Sequence, residues 1–525
     1  MKTVGERIVE GLAARGVEVV FGIPGVHTVE MYRGLSGSPI RHVTARHEQG
    51  CAFMADGYAR CSGKPGVALV ITGPGLTNAL TAMAQAREDS VPILVISGVN
   101  RRDSLGKGLG RLHELPDQGA MVRTLCPSRQ ISEPAQVGEV LDWAFATMAT
   151  GRPGPVHIEV PTDVMPMPCP ALGSPAPLPA RPVATDDALT RAAALLNAAK
   201  RPLILVGGGG RGQEAGLLAL AERLDAPVVQ TVNARGMLHG HALCVPASPS
   251  LQAVRDLIVA SDQVLVLGSE IGQTEYDMYA TESLPALSGM IRADLCADQL
   301  ARHPARLAVQ ADVGGFVKAL LPHLGRKNAQ GAARAQATRV KAKSDLGDLY
   351  APMPGQLQMV EAIRAALPAC VIVGDSTQPV YAANLYYDHD RPGGWFNAAT
   401  GFGALGFGPG AAVGAALALA GVPVVCLIGD GGLQFSPGEL RTAVDEALPI
   451  TFVVWNNAAF MEIAEAMRGA NTEVIGCAPS PLQMKPFAAA CDLPFQSVHE
   501  EPEALSFALS QGGTGPRMIE VRVKR

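Results

Sequence analysis

Residues 429–432, Gly-Asp-Gly-Gly, end a hydrophobic run with one acidic side chain held between glycines. Asn456 and Asn457 end the next hydrophobic run, and a helical pattern over 436–448 separates the two. A carboxylate and an amide oxygen suit a hard cation such as Mg²⁺, which keeps water and phosphate oxygens as further ligands. Asp430 and Asn457 are therefore candidate metal ligands, although a Gly-Asp-Gly tripeptide alone would equally fit a tight turn.

Composition narrows the possible partners and the compartment. The chain has 525 residues, enough for several domains, and a net charge of −5 with acids and bases mixed along it, so nucleic acid is not an expected partner. The ten cysteines are scattered singly, without a C-x-x-C pair. This pattern predicts a reducing cytoplasm rather than a disulfide or zinc framework.

One uncharged stretch, 406–429, is long enough to cross a bilayer. Pro409, Gly414, Gly421 and Pro423 divide it into an Ala-rich helix, a turn and a β-branched strand. We therefore predict a buried helix–strand pair here, and no membrane partner.

Short β-branched runs alternate with helical patterns along the chain, as parallel sheets built from βαβ units require. The expected fold is α/β, with three doubly wound parallel-sheet domains. The predicted domains are 1–165, 187–324 and 351–525, separated by a Pro-rich linker at 166–186 and a polar linker at 325–350. Ligands usually bind beyond the carboxyl ends of parallel strands, where the Asp430 and Asn457 turns lie.

The G-D-G…N-N arrangement resembles the signature of thiamine-diphosphate-dependent enzymes. Further stretches match that family in the same order: GVEVVFGIPGVHT (16–28), RHEQGCAFMADGYAR (46–60), TGPGLTNAL (72–80) and GFGALGFGPGAAVGA (401–415). The resemblance covers essentially the whole chain. It implies a pyrimidine-binding first domain, a central domain and a diphosphate-binding third domain.

The resemblance also implies a role for individual residues. Glu48 would hydrogen-bond the pyrimidine ring and favour the tautomer that activates the thiazolium, which serves as electron sink for decarboxylation. Asp430, Asn457 and the backbone carbonyl of Ala459 would ligate Mg²⁺. The other implied cofactor contacts are Thr377, Gln378, Gly403, Leu405, Gly429, Gly431 and Gly432. The family usually has glycine near the Asn pair, but this chain has Ala458 and Ala459 there. The resemblance therefore does not fix the local backbone conformation.

In this family the catalytic glutamate and the metal-binding aspartate meet across a subunit interface. The resemblance therefore implies at least a homodimer, with a homotetramer as the expected assembly. The substrate class it implies is a small 2-oxo acid.

Within the family, the N-terminal block is closest to the acetolactate-synthase-like branch. Residues 22–35, 97–118 and 374–384 are similar to 5-guanidino-2-oxopentanoate decarboxylases, which convert the 2-oxo analogue of arginine to 4-guanidinobutanal and CO₂. An acetolactate synthase-like or other carboligase or lyase is the alternative, and a cofactor-binding scaffold without catalysis is a third possibility. Flavin is not expected, because 268–277, GSEIGQTEYD, replaces the Arg-Phe-Asp-Asp-Arg stretch of flavin-binding synthases.

Three further residues are candidates for the catalytic pocket. Glu462 could pair with a guanidinium or protonate an enamine, or it could be a solvated helix acid. His27 could be a proton shuttle or a solvated loop histidine. His113 lies in a loop comparable to that of the paired histidines of pyruvate decarboxylases.

The central block adds features whose role the sequence leaves open. Its acids Glu270, Glu275 and Asp277 could be surface residues or could line a substrate entrance. The stretch VGGGGRG (206–212) lacks the register of a nucleotide-binding loop, so we interpret it as a structural turn.

Overall fold

The protein, described by a computed structural model over residues 1–278, 285–287 and 289–523, contains three six-stranded sheets flanked by helices. This confirms the predicted α/β class with three parallel sheets. The chain forms two compact units. The first comprises 1–179, 402–497 and 513–520, and the second contains the other described residues.

The N-terminal block supplies the first sheet. Its helices are α1 Val4–Ala14, α2 Val29–Leu35, α3 Glu48–Ser62, α4 Pro74–Glu88, α5 Gln118–Arg123 and α6 Val137–Thr150. Its strands are β1 Val19–Gly22, β2 Arg41–Thr44, β3 Gly66–Val70, β4 Ile93–Val99, β5 Ser128–Gln130 and β6 Pro155–Pro161. The strand order is β2-β1-β3-β4-β6-β5. Every residue of β3, β4 and β6 is buried, as expected when helices cover both faces.

The central block supplies the second sheet. Its helices are α7 Asp186–Ala198, α8 Glu214–Leu224, α9 Gln252–Val259, α10 Gln273–Tyr276, α11 Ala297–Arg302 and α12 Val313–Leu320. Its strands are β7 Pro202–Val206, β8 Val228–Gln230, β9 Cys244–Val245, β10 Gln263–Leu267, β11 Ile291–Asp294 and β12 Leu307–Gln310, in the order β12-β11-β10-β7-β8-β9. The Pro-rich stretch 170–185 ahead of α7 forms no helix or strand.

The C-terminal block supplies the third sheet. The preceding helix, α13 Gly331–Leu349, occupies most of the polar stretch 325–350, and the helices of the block itself are α14 Met353–Ala366, α15 Gln378–Leu385, α16 Phe407–Ala418, α17 Asp430–Leu433, α18 Glu439–Asp445, α19 Met461–Gly469, α20 Met484–Ala490 and α21 Pro502–Ser510. Its strands are β13 Val371–Gly374, β14 Trp395–Asn397, β15 Val424–Gly429, β16 Ile450–Asn456, β17 Phe495–His499 and β18 Arg517–Arg522. Their order is β14-β13-β15-β16-β18-β17.

The uncharged stretch 406–429 forms the predicted helix–strand pair, α16 followed by β15, and both are almost entirely buried. Within the described part of the chain, no helix combines the length and apolarity needed to cross a membrane.

Glycines allow α3 and α16 to pack backbone against backbone. A Cβ on Gly57 would lie 2.0 Å from the carbonyl oxygen of Ala411, and a Cβ on Gly414 would lie 1.9 Å from the carbonyl oxygen of Met54. Both neighbours are backbone atoms, which cannot rotate away as a side chain can. These two glycines therefore set the distance between the helix that begins with Glu48 and the helix that follows Leu405.

A buried network of charged and amide side chains lies at the same interface. Arg60 on α3 donates to Asp56 at 2.6 Å and to Asp89 at 2.7 Å, and its guanidinium lies 5.7 Å from the centre of the Phe407 ring on α16. Gln85 donates to Asp89 at 2.8 Å and accepts from the backbone N–H of Ala404 at 3.1 Å. The pairing satisfies charges that would be costly if buried alone.

Replacing Gly57 by Ala should separate the two helices. We expect the free energy of unfolding to fall by at least about 2 kcal/mol, because the new methyl group meets fixed backbone. The measurement is the midpoint of chemical denaturation followed by circular dichroism. Gly138→Ala on α6 is the matched control, because no described atom lies within 4 Å of its added Cβ. A Gly57→Ala protein with the wild-type midpoint would contradict the packing argument.

Candidate active site

Glu48 is the first residue of α3 and is half-buried. Its Oε2 accepts a hydrogen bond from Nδ2 of Asn78 at 3.0 Å. His47 caps the helix, since its Nδ1 accepts from the backbone N–H of Gln49 at 3.1 Å. One carboxylate oxygen is thus held by an amide donor.

Asn78 lies on α4, just after the turn that contains Gly75. A Cβ on Gly75 would lie 2.7 Å from Cγ1 of Ile71 and 3.6 Å from Oε1 of Glu48, so glycine permits the close approach of this turn. Asn78 stands within the 72–80 motif, but the sequence did not single it out. The available signal was a carboxamide three positions after the Gly-Pro-Gly stretch 73–75.

The strand order of the first sheet explains why these loops converge. Because β1 lies between β2 and β3, the chain changes direction there and leaves a crevice beyond the carboxyl ends of β1 and β3. His27 follows β1, and Gly73 follows β3. The first sheet therefore offers a ligand crevice at a topological switch point.

The structure brings His27 and His113 together. Their ring centroids are 5.4 Å apart in an edge-on arrangement. Burial, and after it the nearby His113, lowers the pKa of His27, so its ring is mainly neutral at pH 7 and able to accept a proton. Nδ1 of His27 is buried without a hydrogen-bond partner among the described residues. A Cβ on Gly73 would lie 2.5 Å from the carbonyl oxygen of His113, so glycine is required beside this pair.

Asp430 and Asn457 also come together, as their spacing predicts. Neighbouring parallel strands β15 and β16 pair Gly429 with Trp455, so both turns begin at the same edge of the third sheet. Oδ1 of Asp430 accepts from the backbone N–H of Asn457 at 3.3 Å. Asp430 is 5 % exposed, and burial raises the pKa of its carboxyl group, against the opposing effect of backbone N–H donors.

The two asparagines have different environments. Asn456 donates to Glu520 at 2.7 Å, whereas Oδ1 of Asn457 accepts from the backbone N–H of Ala459 at 3.1 Å. Ala458 has a φ of +54°, the left-handed conformation in which glycine is favoured. The alanine therefore adopts the backbone shape that the glycine of the family pattern would supply.

The donors of this turn fit a magnesium ion that is shared with a diphosphate. They are one buried carboxylate, one amide oxygen and backbone carbonyl groups, which are all hard oxygen ligands. No group of three or more His, Cys, Asp or Glu that could hold a metal occurs among the described residues, so the turn lacks the donor set of a zinc site.

Two of the implied cofactor residues stand ahead of α16. Gly403 has a φ of +76°, and no described atom lies within 4 Å of a Cβ added to it. Leu405 is half-buried between the buried Ala404 and Gly406. In the Asp430 turn, a Cβ on Gly431 would lie 2.6 Å from Cε1 of Phe460, so this glycine is also required for packing.

Three candidate residues remain. Glu462 is exposed near the start of α19. Thr377 and Gln378 belong to the second unit, where both are buried at the start of α15.

The central acids have mainly structural partners. Asp277 is buried and pairs with Arg255 at 3.1 Å. Oε2 of Glu275 accepts from the backbone N–H of Val232 at 3.0 Å, and burial raises the pKa of Glu275 to about 7. Oε2 of Glu270 lies 3.5 Å from Nε2 of Gln299.

The glycine-rich stretch after β7 forms a tight turn, in agreement with our interpretation. A Cβ on Gly207 would lie 2.4 Å from the carbonyl oxygen of Gly268, and one on Gly209 would lie 2.8 Å from the Cα of Gly268. The glycines are required by the neighbouring turn after β10.

Three family models describe the chain. The N-terminal TPP binding domain of thiamine pyrophosphate enzymes matches residues 2–121, their central domain matches 189–320, and their C-terminal TPP binding domain matches 374–521.

Curated relatives extend over most of the chain. A probable 2-ketoarginine decarboxylase of Pseudomonas aeruginosa is 41 % identical over 91 % of this chain and 86 % of its own length. The acetolactate synthase isozyme 1 large subunit of Escherichia coli is 32 % identical over 87 % of this chain and 82 % of its own length. The acetolactate synthase large subunit of Lactococcus lactis is 30 % identical over 86 % of this chain and 80 % of its own length. Since all three of its domains are matched and these relatives extend over most of its length, the chain belongs to the thiamine pyrophosphate enzyme family.

Proposed function

We propose that this enzyme catalyses the non-oxidative decarboxylation of a 2-oxo acid with a basic side chain, 5-guanidino-2-oxopentanoate, to 4-guanidinobutanal and CO₂. The observation that carries the proposal is the 41 % identity, over 91 % of the chain, to the probable 2-ketoarginine decarboxylase. The acetolactate synthases are also similar over most of the chain, at 32 % identity or below. Carboligation of 2-oxo acids is therefore the second candidate.

The cofactor in this proposal is thiamine diphosphate held through Mg²⁺, and the cofactor's thiazolium supplies the electron sink. Glu48 contacts the pyrimidine ring, and Asn78 orients the Glu48 carboxylate. Asp430, Asn457 and the carbonyl of Ala459 hold the metal. The diphosphate contacts are assigned to Thr377, Gln378, Gly429, Gly431 and Gly432, and the remaining cofactor contacts to Gly403 and Leu405.

The substrate side of the site is assigned to three residues. His27 is suited to accept or deliver a proton, because its half-buried ring is mainly neutral and its Nδ1 has no hydrogen-bond partner among the described residues. His113 supports that ring edge-on. Glu462 supplies the carboxylate for the guanidinium of the substrate. The homodimeric or homotetrameric state and the cytoplasmic location stay predictions.

The substrate is tested by CO₂ release from 5-guanidino-2-oxopentanoate, pyruvate and benzoylformate. We expect the guanidino acid to have the highest kcat/KM. Glu462→Gln should raise KM for that substrate about 10-fold. It should leave KM unchanged for pyruvate and benzoylformate, because neither has a guanidinium to pair with the Glu462 carboxylate. Glu465→Gln on the same helix is the control. Preference for pyruvate with acetolactate as product would instead support the carboligase.

Asp430→Asn should abolish Mg²⁺-dependent binding of thiamine diphosphate, because the neutral amide replaces the only carboxylate in the proposed ligand set. Isothermal titration calorimetry measures this directly. Asp492→Asn is the control, since this exposed acid pairs with Arg441 at the surface. Unchanged cofactor affinity in Asp430→Asn would refute the assignment of the metal site.

Asn78→Ala removes the hydrogen bond to Glu48. We expect kcat to fall about 10-fold with little change in KM, since one charge-assisted hydrogen bond is lost. Thr77→Ala is the matched control, because its hydroxyl donates only to the Pro74 carbonyl at the start of the same helix, at 3.2 Å. Steady-state kinetics with wild-type kcat for Asn78→Ala would show that Glu48 needs no such support.

A further inference from the structure

Glu439 is a buried acid that none of the proposed steps uses. It is the first residue of α18 and is 1 % exposed. Its Oε1 accepts from the backbone N–H of Arg46 at 3.2 Å and of His47 at 3.1 Å. Its Oε2 accepts from the hydroxyl of Thr442 at 2.8 Å. A side chain of the C-terminal block therefore holds the two peptides directly ahead of Glu48.

Two glycines leave space for the Glu439 carboxylate. A Cβ on Gly50 would lie only 2.1 Å from Oε1 of Glu439, and a Cβ on Gly438 would lie 2.7 Å from the Cβ of Arg46. Glycine at both positions allows the carboxylate and the 46–47 peptides to meet. Burial raises the pKa of Glu439, and the hydrogen bonds from Thr442, Arg46 and His47 oppose this shift.

Three other contacts join the same segments: a long hydrogen bond of 3.4 Å from the Thr442 hydroxyl to the Thr44 carbonyl, and two ion pairs at the surface. The Arg46 side chain pairs with Asp445, and Arg41 pairs with Glu446. Both arginine side chains are at least one-third exposed. Exposed ion pairs of this kind contribute little to fixing a backbone. The buried carboxylate is therefore the contact that defines the position of the 46–47 peptides.

We propose that Glu439 is a positioning residue, which orients the Glu48 carboxylate by fixing the peptide N–H groups of Arg46 and His47. The proposal rests on the proposed function only in requiring that Glu48 act on thiamine diphosphate. It does not depend on which 2-oxo acid is the substrate. Glu439 itself touches neither the cofactor nor the substrate in this account.

Glu439 also lies close in sequence to the proposed metal ligand Asp430. Asp430 begins α17 and Glu439 begins α18, with a short turn between the two helices. One stretch of the C-terminal block thus carries both the proposed metal ligand and the support of Glu48, although the resemblance pairs Glu48 with the Asp430 of a second subunit. A displacement of α18 would move the start of α3 without altering the donors of the Asp430 turn.

Glu439→Ala in the full-length holoenzyme tests the proposal. We expect kcat to fall about 10- to 100-fold with KM nearly unchanged, because two hydrogen bonds to a carboxylate are lost. Two readouts need no substrate. Amide hydrogen exchange at residues 46 and 47 should accelerate, and the near-ultraviolet circular dichroism of the bound aminopyrimidine should shift as its contact with Glu48 changes.

Variants of the same position separate positioning from general packing. Glu439→Gln keeps one oxygen for the two N–H groups and should restore most of kcat and the spectrum. Glu439→Asp withdraws the carboxylate by one methylene and should behave like Glu439→Ala. The aspartate variant therefore provides the test if the alanine variant does not fold. Asp445→Asn, which removes the surface ion pairs of Asp445 with Arg46 and Arg441, should match the wild type.

Wild-type amide exchange and an unchanged cofactor spectrum in Glu439→Ala, or in Glu439→Asp if that variant replaces it, would overturn the proposal. Failure of 5-guanidino-2-oxopentanoate as a substrate would affect only the proposed function, because both spectroscopic readouts are recorded without it.

Discussion

The close packing of α3 on α16 is the constraint on which the proposed site depends. Gly57 and Gly414 allow the backbones of the two helices to touch. Arg60 lies at the same interface and pairs with Asp56 and Asp89. Glu48 begins one of these helices, and Gly403 and Leu405 lie just ahead of the other. A helix pair that cannot slide or separate gives both ends a fixed position.

Polar contacts then set the residues at the helix ends. Asn78 holds the Glu48 carboxylate, and Glu439 holds the peptides ahead of it. In the loop after β3, Oε1 of Gln118 accepts from the Thr72 hydroxyl at 2.9 Å and from the Gly73 N–H at 3.1 Å. Buried networks of this kind favour a single arrangement, because each unsatisfied group would be costly. Glu48 is thus held from α4, and the peptides ahead of it are held from α18.

Local patterns were sufficient to predict the fold, and the resemblance of several motifs predicted the family. Alternating β-branched and helical runs predicted three parallel sheets, and the spacing between Asp430 and Asn457 predicted that their turns meet. The supporting residues were not predicted, because Asn78 and Glu439 act through contacts between segments far apart in the chain. The hydrophobic periodicity of a single sequence does not show which distant residues will be in contact. The conformation of Ala458 was not predictable from its residue type either, because the fold imposes a left-handed backbone that alanine disfavours.

The central claim is that the Glu48 carboxylate activates bound thiamine diphosphate. The most direct test is the rate of hydrogen–deuterium exchange at C2 of the cofactor, followed by NMR after quenching, in the wild type and in Glu48→Gln. The account predicts that the exchange rate falls at least about 100-fold in the variant, the scale of a lost acid–base catalyst, while the cofactor stays bound. Exchange at the wild-type rate in a fully loaded Glu48→Gln enzyme would contradict it.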